Sequence, residues 1–271
     1  MIIDISHRLS FAAGGTRSVA HLLLSPLSGP GQTVKDWAID MPAIETAARF
    51  TDAYGNRALL VTQQKPEGEI VVSIKGRVET HDANGVLGRI AGEPVVALYK
   101  RVTALTRPDL GLVEEFAGAN RRGAGRIALY HAIMGRIAEV HRPAEPAGAQ
   151  LQMQSSGAAA DALEGAVADG PADAAALAHA FVATVRALDL PARYVTGYLA
   201  GDADHPAAFH AWAEAYDDGL GWIAFDPTLG LCPTDRHVRV AAGLDALATM
   251  PLRVVPAMGE IGGGAVEVTA Q

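Results

Sequence analysis

One cysteine, Cys232, is all the thiol chemistry in this 271-residue chain. A single thiol excludes an internal disulfide framework and a cysteine-based zinc cage, so the fold must stand on packing, and a reducing compartment suits it. Basic charge is also scarce, with 22 Lys and Arg against 30 Asp and Glu and a formal net charge of −8. A nucleic-acid surface needs clustered cations to displace counterions, so no nucleic-acid partner is expected. Long apolar runs are missing too. The most tempting stretch, residues 174–185, is interrupted by His179 and closed by Arg186, well short of the roughly 20 residues that cross a bilayer. No membrane span is expected. Asp4, His7 and Arg8 fall where the apolar region of an export signal would lie, so the expected location is cytoplasmic.

What is present describes a globular protein. Hydrophobic residues make up 49% and charged residues 19%, a balance far from that of disordered chains, and the length suits one large domain or two modest ones. Ile3, Ile5, His7, Leu9 and Phe11 occupy every second position, as do Ile70, Val72 and Ile74. That is the period of half-buried strands. Between them, residues 51–56 carry Gly55-Asn56, a tight-turn signal. Residues 1–90 therefore read as an antiparallel β module. The period then changes: Ile127, Tyr130, Met134 and Ile137 predict a helix over 125–141. Residues 141–170 mix Pro, Gly, Ser, Gln and Ala, with weak helical character over 158–167. A further helix is signalled by Pro171 and Asp173 in its first turn and by the stripe Leu177, Phe181, Val185 and Leu188, ending before Pro191. Strands are expected at 194–199, 210–216 and 221–225, the last two flanking a 217–220 hairpin loop. Helices followed by an antiparallel sheet make the class α+β, with a second domain over 91–265.

If the 217–220 loop closes a regular hairpin, Tyr216 pairs with Gly221, and His210 lies opposite Pro227 and diagonal to Asp226. A carboxylate beside an imidazole fixes the ring's tautomer and stabilises imidazolium while the other nitrogen takes a proton. A His and an Asp on adjacent strands are, however, more often a structural pair. Three weaker signals compete. Gly123 to Ala128 fits a dinucleotide-loop pattern, but no buried strand precedes it, and Arg121 and Arg122 read as a solvated pair. Asp202, Asp204, His205 and His210 could ligate zinc or manganese, although a polar loop explains their composition more simply. Cys232 has no helix N-terminus predicted nearby to activate it and reads as packing.

The segment 210–228, with His210, Trp212, Glu214, Trp222, Phe225, Asp226, Pro227 and Thr228, resembles the His and Asp strands of the bacterial transglutaminase-like family. Residues 190–199, beginning Leu190-Pro191-Ala192-Arg193, resemble the strand before that His; residues 237–241 resemble a later segment, and residues 52–56 the family's N-terminal region. The resemblance implies a papain-like core in which a Cys at a helix N-terminus attacks a carboxamide, with His as base and Asp orienting it. Counted back from Ala178-His179, the family's Gly, Cys and Asp positions fall on Ala172, Ala174 and Ala176. A methyl group cannot attack a carbonyl, so the resemblance implies a degenerate site with Ala174 at the nucleophile position and His210 and Asp226 retained. The expected role is then non-catalytic binding of a peptide or protein partner, with Trp212 and His179 in the binding site and neither cofactor nor metal. The competing expectation is an active amide hydrolase or acyl transferase that uses Cys232 or a bound metal.

Overall fold

A computed structural model describes residues 1–12, 15–66, 68–90, 92–119, 124–140, 174–203, 205–256 and 261–270. The described residues form three antiparallel sheets and three α-helices. β1 (Ile2–Ala12), β3 (Gln32–Asp40) and β6 (Glu69–Thr80) form one sheet, which β13 (Ile261–Ala270) completes in the order β13-β1-β6-β3. β2 (Arg17–Ser25), β4 (Ala48–Thr51) and β5 (Arg57–Gln64) form a second with β12 (Leu252–Val255), in the order β12-β2-β5-β4. The expected alternation holds: Ile3, Ile5, His7, Leu9 and Phe11 are all buried, as are Ile70, Val72 and Ile74. The apolar side chains among them share one core with Leu22, Leu24, Leu59 and Val61 of the second sheet.

The third sheet runs β11-β8-β9-β10-β7, with β7 at Val86–Gly88, β8 at Ala192–Leu199, β9 at Ala208–Asp217, β10 at Gly221–Phe225 and β11 at His237–Gly243. α1 (Leu110–Phe116), α2 (Ala124–Val140) and α3 (Ala174–Ala187) precede β8. Leu177, Phe181 and Val185 of α3, and Tyr130, Ile133 and Ile137 of α2, bury their stripes against Ala211, Ala213, Ala215, Ile223 and Phe225. Alanine at every second position of β9 presents a shallow surface on which a helix can lie close. This is the α+β arrangement expected. The strand and helix ends fall within a few residues of expectation, while the helical character at 158–167, the first turn at 171–173 and the Gly123 motif's first glycine lie outside the described residues.

Sheet membership does not follow chain order: β7 joins the third sheet, and β12 and β13 return to complete the first two. Ile3 lies opposite Ala270, and Val19 opposite Val255. The hairpin is one residue out of the expected register, with Asp217 facing Gly221 and Tyr216 facing Trp222. The turn chemistry explains the shift. Asp217 Oδ1 accepts from the backbone N–H groups of Gly219 and Leu220 at 2.8 and 2.9 Å, and Gly221 supplies φ +80°. The loop is therefore three residues closed by a left-handed glycine.

The edge strand β11 is covered by two amide side chains from the first third of the chain, Gln32 of β3 and Asn56 of the loop before β5. Asn56 donates to the Ala242 carbonyl and accepts from its N–H, both at 2.9 Å. Gln32 does the same with Arg239, at 2.9 and 2.8 Å. Each amide satisfies one residue's backbone pair on an edge that would otherwise be open.

Candidate functional site

The polar face of β9 is the one turned away from its alanines, and it carries His210, Trp212 and Glu214. Opposite them on β8 stand Gly197, Val195 and Arg193. Gly197 is required there, since a Cβ at that position would lie 2.1 Å from the Val238 carbonyl oxygen and 2.6 Å from the Trp212 ring. Asp226 follows the last residue of β10, in a turn that Pro227 helps to set. Its Oδ1 accepts from the N–H groups of Thr228 and Leu229 at 3.0 and 3.3 Å, and its backbone exchanges hydrogen bonds with Leu231. This turn brings Asp226 Oδ2 to 2.6 Å from His210 Nε2. The sequence-predicted pair is therefore assembled, although by a turn rather than by the extended hairpin.

A third side chain shares the same oxygen. His237, the first residue of β11, places Nε2 at 3.1 Å from Asp226 Oδ2. Its tautomer follows from its other side: the Thr234 N–H donates to Nδ1 at 3.1 Å, so Nδ1 is a bare acceptor and Nε2 carries the proton. Asp226 thus receives two ring N–H groups and two backbone N–H groups. Burial pushes its carboxyl up, but the His210 and His237 rings outweigh that and hold it well below the usual carboxylate range. The His210 proton therefore sits on Nε2 toward an ionised carboxylate, leaving Nδ1 as the nitrogen that Asp226 does not engage.

His210, Asp226 and His237 are also the one set of three metal-donor side chains brought together among the described residues, with ligand atoms within 4.8 Å of one another. Their arrangement does not suit a metal. A ligating His237 Nε2 would need a bare lone pair, yet the Thr234 N–H already claims the unprotonated nitrogen. Of the other metal set, His205 Nδ1 lies 3.4 Å from Asp202 Oδ1, but His210 joins neither of them in a three-donor group among the described residues. Asp202 is engaged by Arg236 and by the His205 backbone, and Asp204 lies outside the described residues.

Beside this cluster on the same face lies an ionic network. Arg193 donates from Nε to Glu214 at 2.5 Å and from Nη1 to Glu93 at 2.6 Å, and Arg239 Nε reaches Glu214 at 2.8 Å. The side chains of Arg193 and Glu214 are both 0% exposed. The Arg193 guanidinium lies 3.9 Å from the Trp222 ring centroid, a stacked geometry that favours arginine over lysine. Burial would raise the Glu214 carboxyl, but Arg193 and Arg239 overcome it and keep it low.

The remaining sequence-predicted residues are all placed in packing. Trp212 is buried, stacked against His210 and edge-on to His237. His179 lies on α3, stacked on Tyr194 at 4.5 Å, and its Nε2 accepts the Ala246 N–H at 3.1 Å. Neither lines an open surface. Ala174 lies in α3 and packs against the helix–sheet core. Cys232 is half-buried; burial first, and Asp82 second, push its thiol up, the reverse of what an activated nucleophile needs. Among the described residues no Cys, Ser or Thr side chain hydrogen-bonds to His210, and no Cys–His–Asp triad is formed.

Sequence reasoning missed His237 as part of the site and gave Arg193 and Glu214 no role. A signal existed for the latter pair: two ionisable residues in otherwise apolar strands, with Glu214 at the same parity as His210.

An antiparallel sheet that packs helices on one face and carries a buried His–Asp pair is the α+β arrangement of the papain-like class of folds. Comparison with known proteins agrees. Residues 143–227 match the transglutaminase-like superfamily, and residues 3–79 match the bacterial transglutaminase-like N-terminal region. The chain belongs to the transglutaminase-like superfamily. It is similar to the protein named "Uncharacterized protein ML0607" of Mycobacterium leprae (strain TN), with 24% identity over 261 residues that cover 90% of this chain and 88% of the relative. A crystal structure from Cytophaga hutchinsonii named a "putative cysteine protease" shares the fold at a TM-score of 0.69 and 22% identity, over 99% of this chain and 89% of that one.

Proposed function

We propose that this chain is a non-catalytic member of its family that binds a peptide or protein segment rather than cleaving or joining one. The observation that carries the reading is the retained dyad, His210 on Asp226 at 2.6 Å, to which no Cys, Ser or Thr side chain is hydrogen-bonded among the described residues. Counted back from Ala178-His179, the family's cysteine position, which opens a helix in that family, is read here as Ala174, a methyl group. A thioester needs a thiolate held at such a helix N-terminus and paired with the imidazole. Cys232 offers no substitute, since its surroundings raise its thiol. Recognition surfaces are separable from the chemical group, so a carboxamide or peptide segment can still be bound by a site that no longer reacts with it.

The test is activity with and without a restored thiol. The native protein should give no His210-dependent hydrolysis or cross-linking of glutamine-containing peptides. It should nevertheless bind such peptides, and His210→Ala should weaken that binding. Ala174→Cys should give measurable turnover that a second change, His210→Ala, abolishes. Native turnover at enzyme-like rates, lost in His210→Ala, would overturn the non-catalytic reading, and absence of any peptide binding would overturn the binding role.

A further inference from the structure

We propose that His237 is a positioning residue of the His210–Asp226 pair, acting on His210 through the oxygen that both rings share. The geometry makes two imidazole donors converge on one carboxylate oxygen. The Thr234 N–H donates to His237 Nδ1 at 3.1 Å, which fixes the proton on Nε2. That Nε2–H donates to Asp226 Oδ2 at 3.1 Å, the oxygen on which His210 Nε2 stands at 2.6 Å. Thr228 and Leu229 hold the other oxygen, so His237 is the side-chain group that competes with His210 for Asp226. Two donors on one oxygen divide its basicity, and each bond is weaker than it would be alone. His237 therefore both holds the carboxylate in place and limits how strongly it grips His210.

A purely structural His237 would serve only as a buried ring beside Trp212, whose centroid is 5.4 Å away. The two roles make different predictions, and the difference holds whether or not the chain turns over a substrate. His237→Phe keeps a ring in that space but removes the N–H. The readout is the imidazole Nε2–H proton resonance of His210 in the full chain, assigned by its loss in His210→Ala. In His237→Phe this proton should move downfield as its hydrogen bond to Asp226 strengthens. In His237→Gln, whose carboxamide N–H can reach the same oxygen, it should return toward the native position. An unchanged or upfield resonance in folded His237→Phe would overturn the proposal. Should the Phe variant not fold, nitrogen-15 shifts of the native protein decide: His237 must show a bare Nδ1 and a protonated Nε2, and the reverse tautomer would refute the proposal.

Discussion

The polar face of β9 carries two clusters side by side, and they differ in kind. Around Glu214 both carboxylate oxygens are taken, by Arg193 and Arg239, and the Arg193–Glu214 pair is fully out of solvent, although Arg193 Nη2 is buried there without a hydrogen-bond partner. Around Asp226 the carboxylate is equally satisfied, but one of its donors, His210, keeps a ring nitrogen that Asp226 does not use. Buried charge alone therefore does not distinguish a site from a scaffold. What distinguishes them is that the second cluster holds an imidazole, a group able to exchange a proton near neutral pH, with one ring nitrogen outside its bond to the carboxylate.

The largest effect should come from breaking the ionic network. Arg193→Met strands Glu214 with Arg239 alone and should cost about 3–5 kcal/mol of stability, read by denaturant unfolding. Adding Glu214→Leu should return part of the loss, because the uncompensated charge goes with it. A double variant as unstable as the single one would mean that the network contributes more than charge balance.

His7 sharpens the comparison from the other side, because it is a buried histidine with no carboxylate. Its Nδ1 meets the Tyr198 hydroxyl at 3.0 Å, and burial pushes it down to about 4. A base whose folded value is depressed contributes its full stability above its ordinary value of 6.5, and loses it as pH falls from 6.5 to about 4. The loss should approach about 3 kcal/mol, and His7→Phe should flatten that part of the pH–stability curve. Asp226 has its own window: a depressed carboxyl gives its contribution above the usual carboxylate range and loses it only in stronger acid.

Asp226→Asn should cost less, about 2 kcal/mol, since an amide keeps the packing and an acceptor but weakens the charge-assisted bonds. It should also abolish any turnover gained by Ala174→Cys. The smallest effect belongs to Cys232. Cys232→Ser should change stability by about 1 kcal/mol or less, and the native thiol should react slowly with alkylating reagents at neutral pH. Rapid labelling would place a reactive centre outside both clusters.

The helices were legible because their apolar stripes match the faces they bury, and the first-sheet strands because their alternation is long and regular. His210 and Asp226 were legible as a pair, but only through the family likeness and an approximate hairpin count. The register itself was decided by one carboxylate, Asp217, and one left-handed glycine, Gly221, neither of which has a periodic signature. His237 was invisible as a partner because its role depends on a bond to Thr234 and on β11 lying two strands from β9. The destinations of β12 and β13 were equally hidden, since strand pairing across more than 200 residues leaves no local trace.

That last pairing has a practical outcome. Because β13 borders β1 and β12 borders β2, cutting the chain after residue 90 to isolate its β-rich start would strip a flank from each of two sheets at once. The excised piece would present fresh ladders of unpaired amides and carbonyls, which invite self-association. A circular permutant is the better dissection, since Ile3 and Ala270 already face one another and a short linker could join the ends without disturbing either sheet.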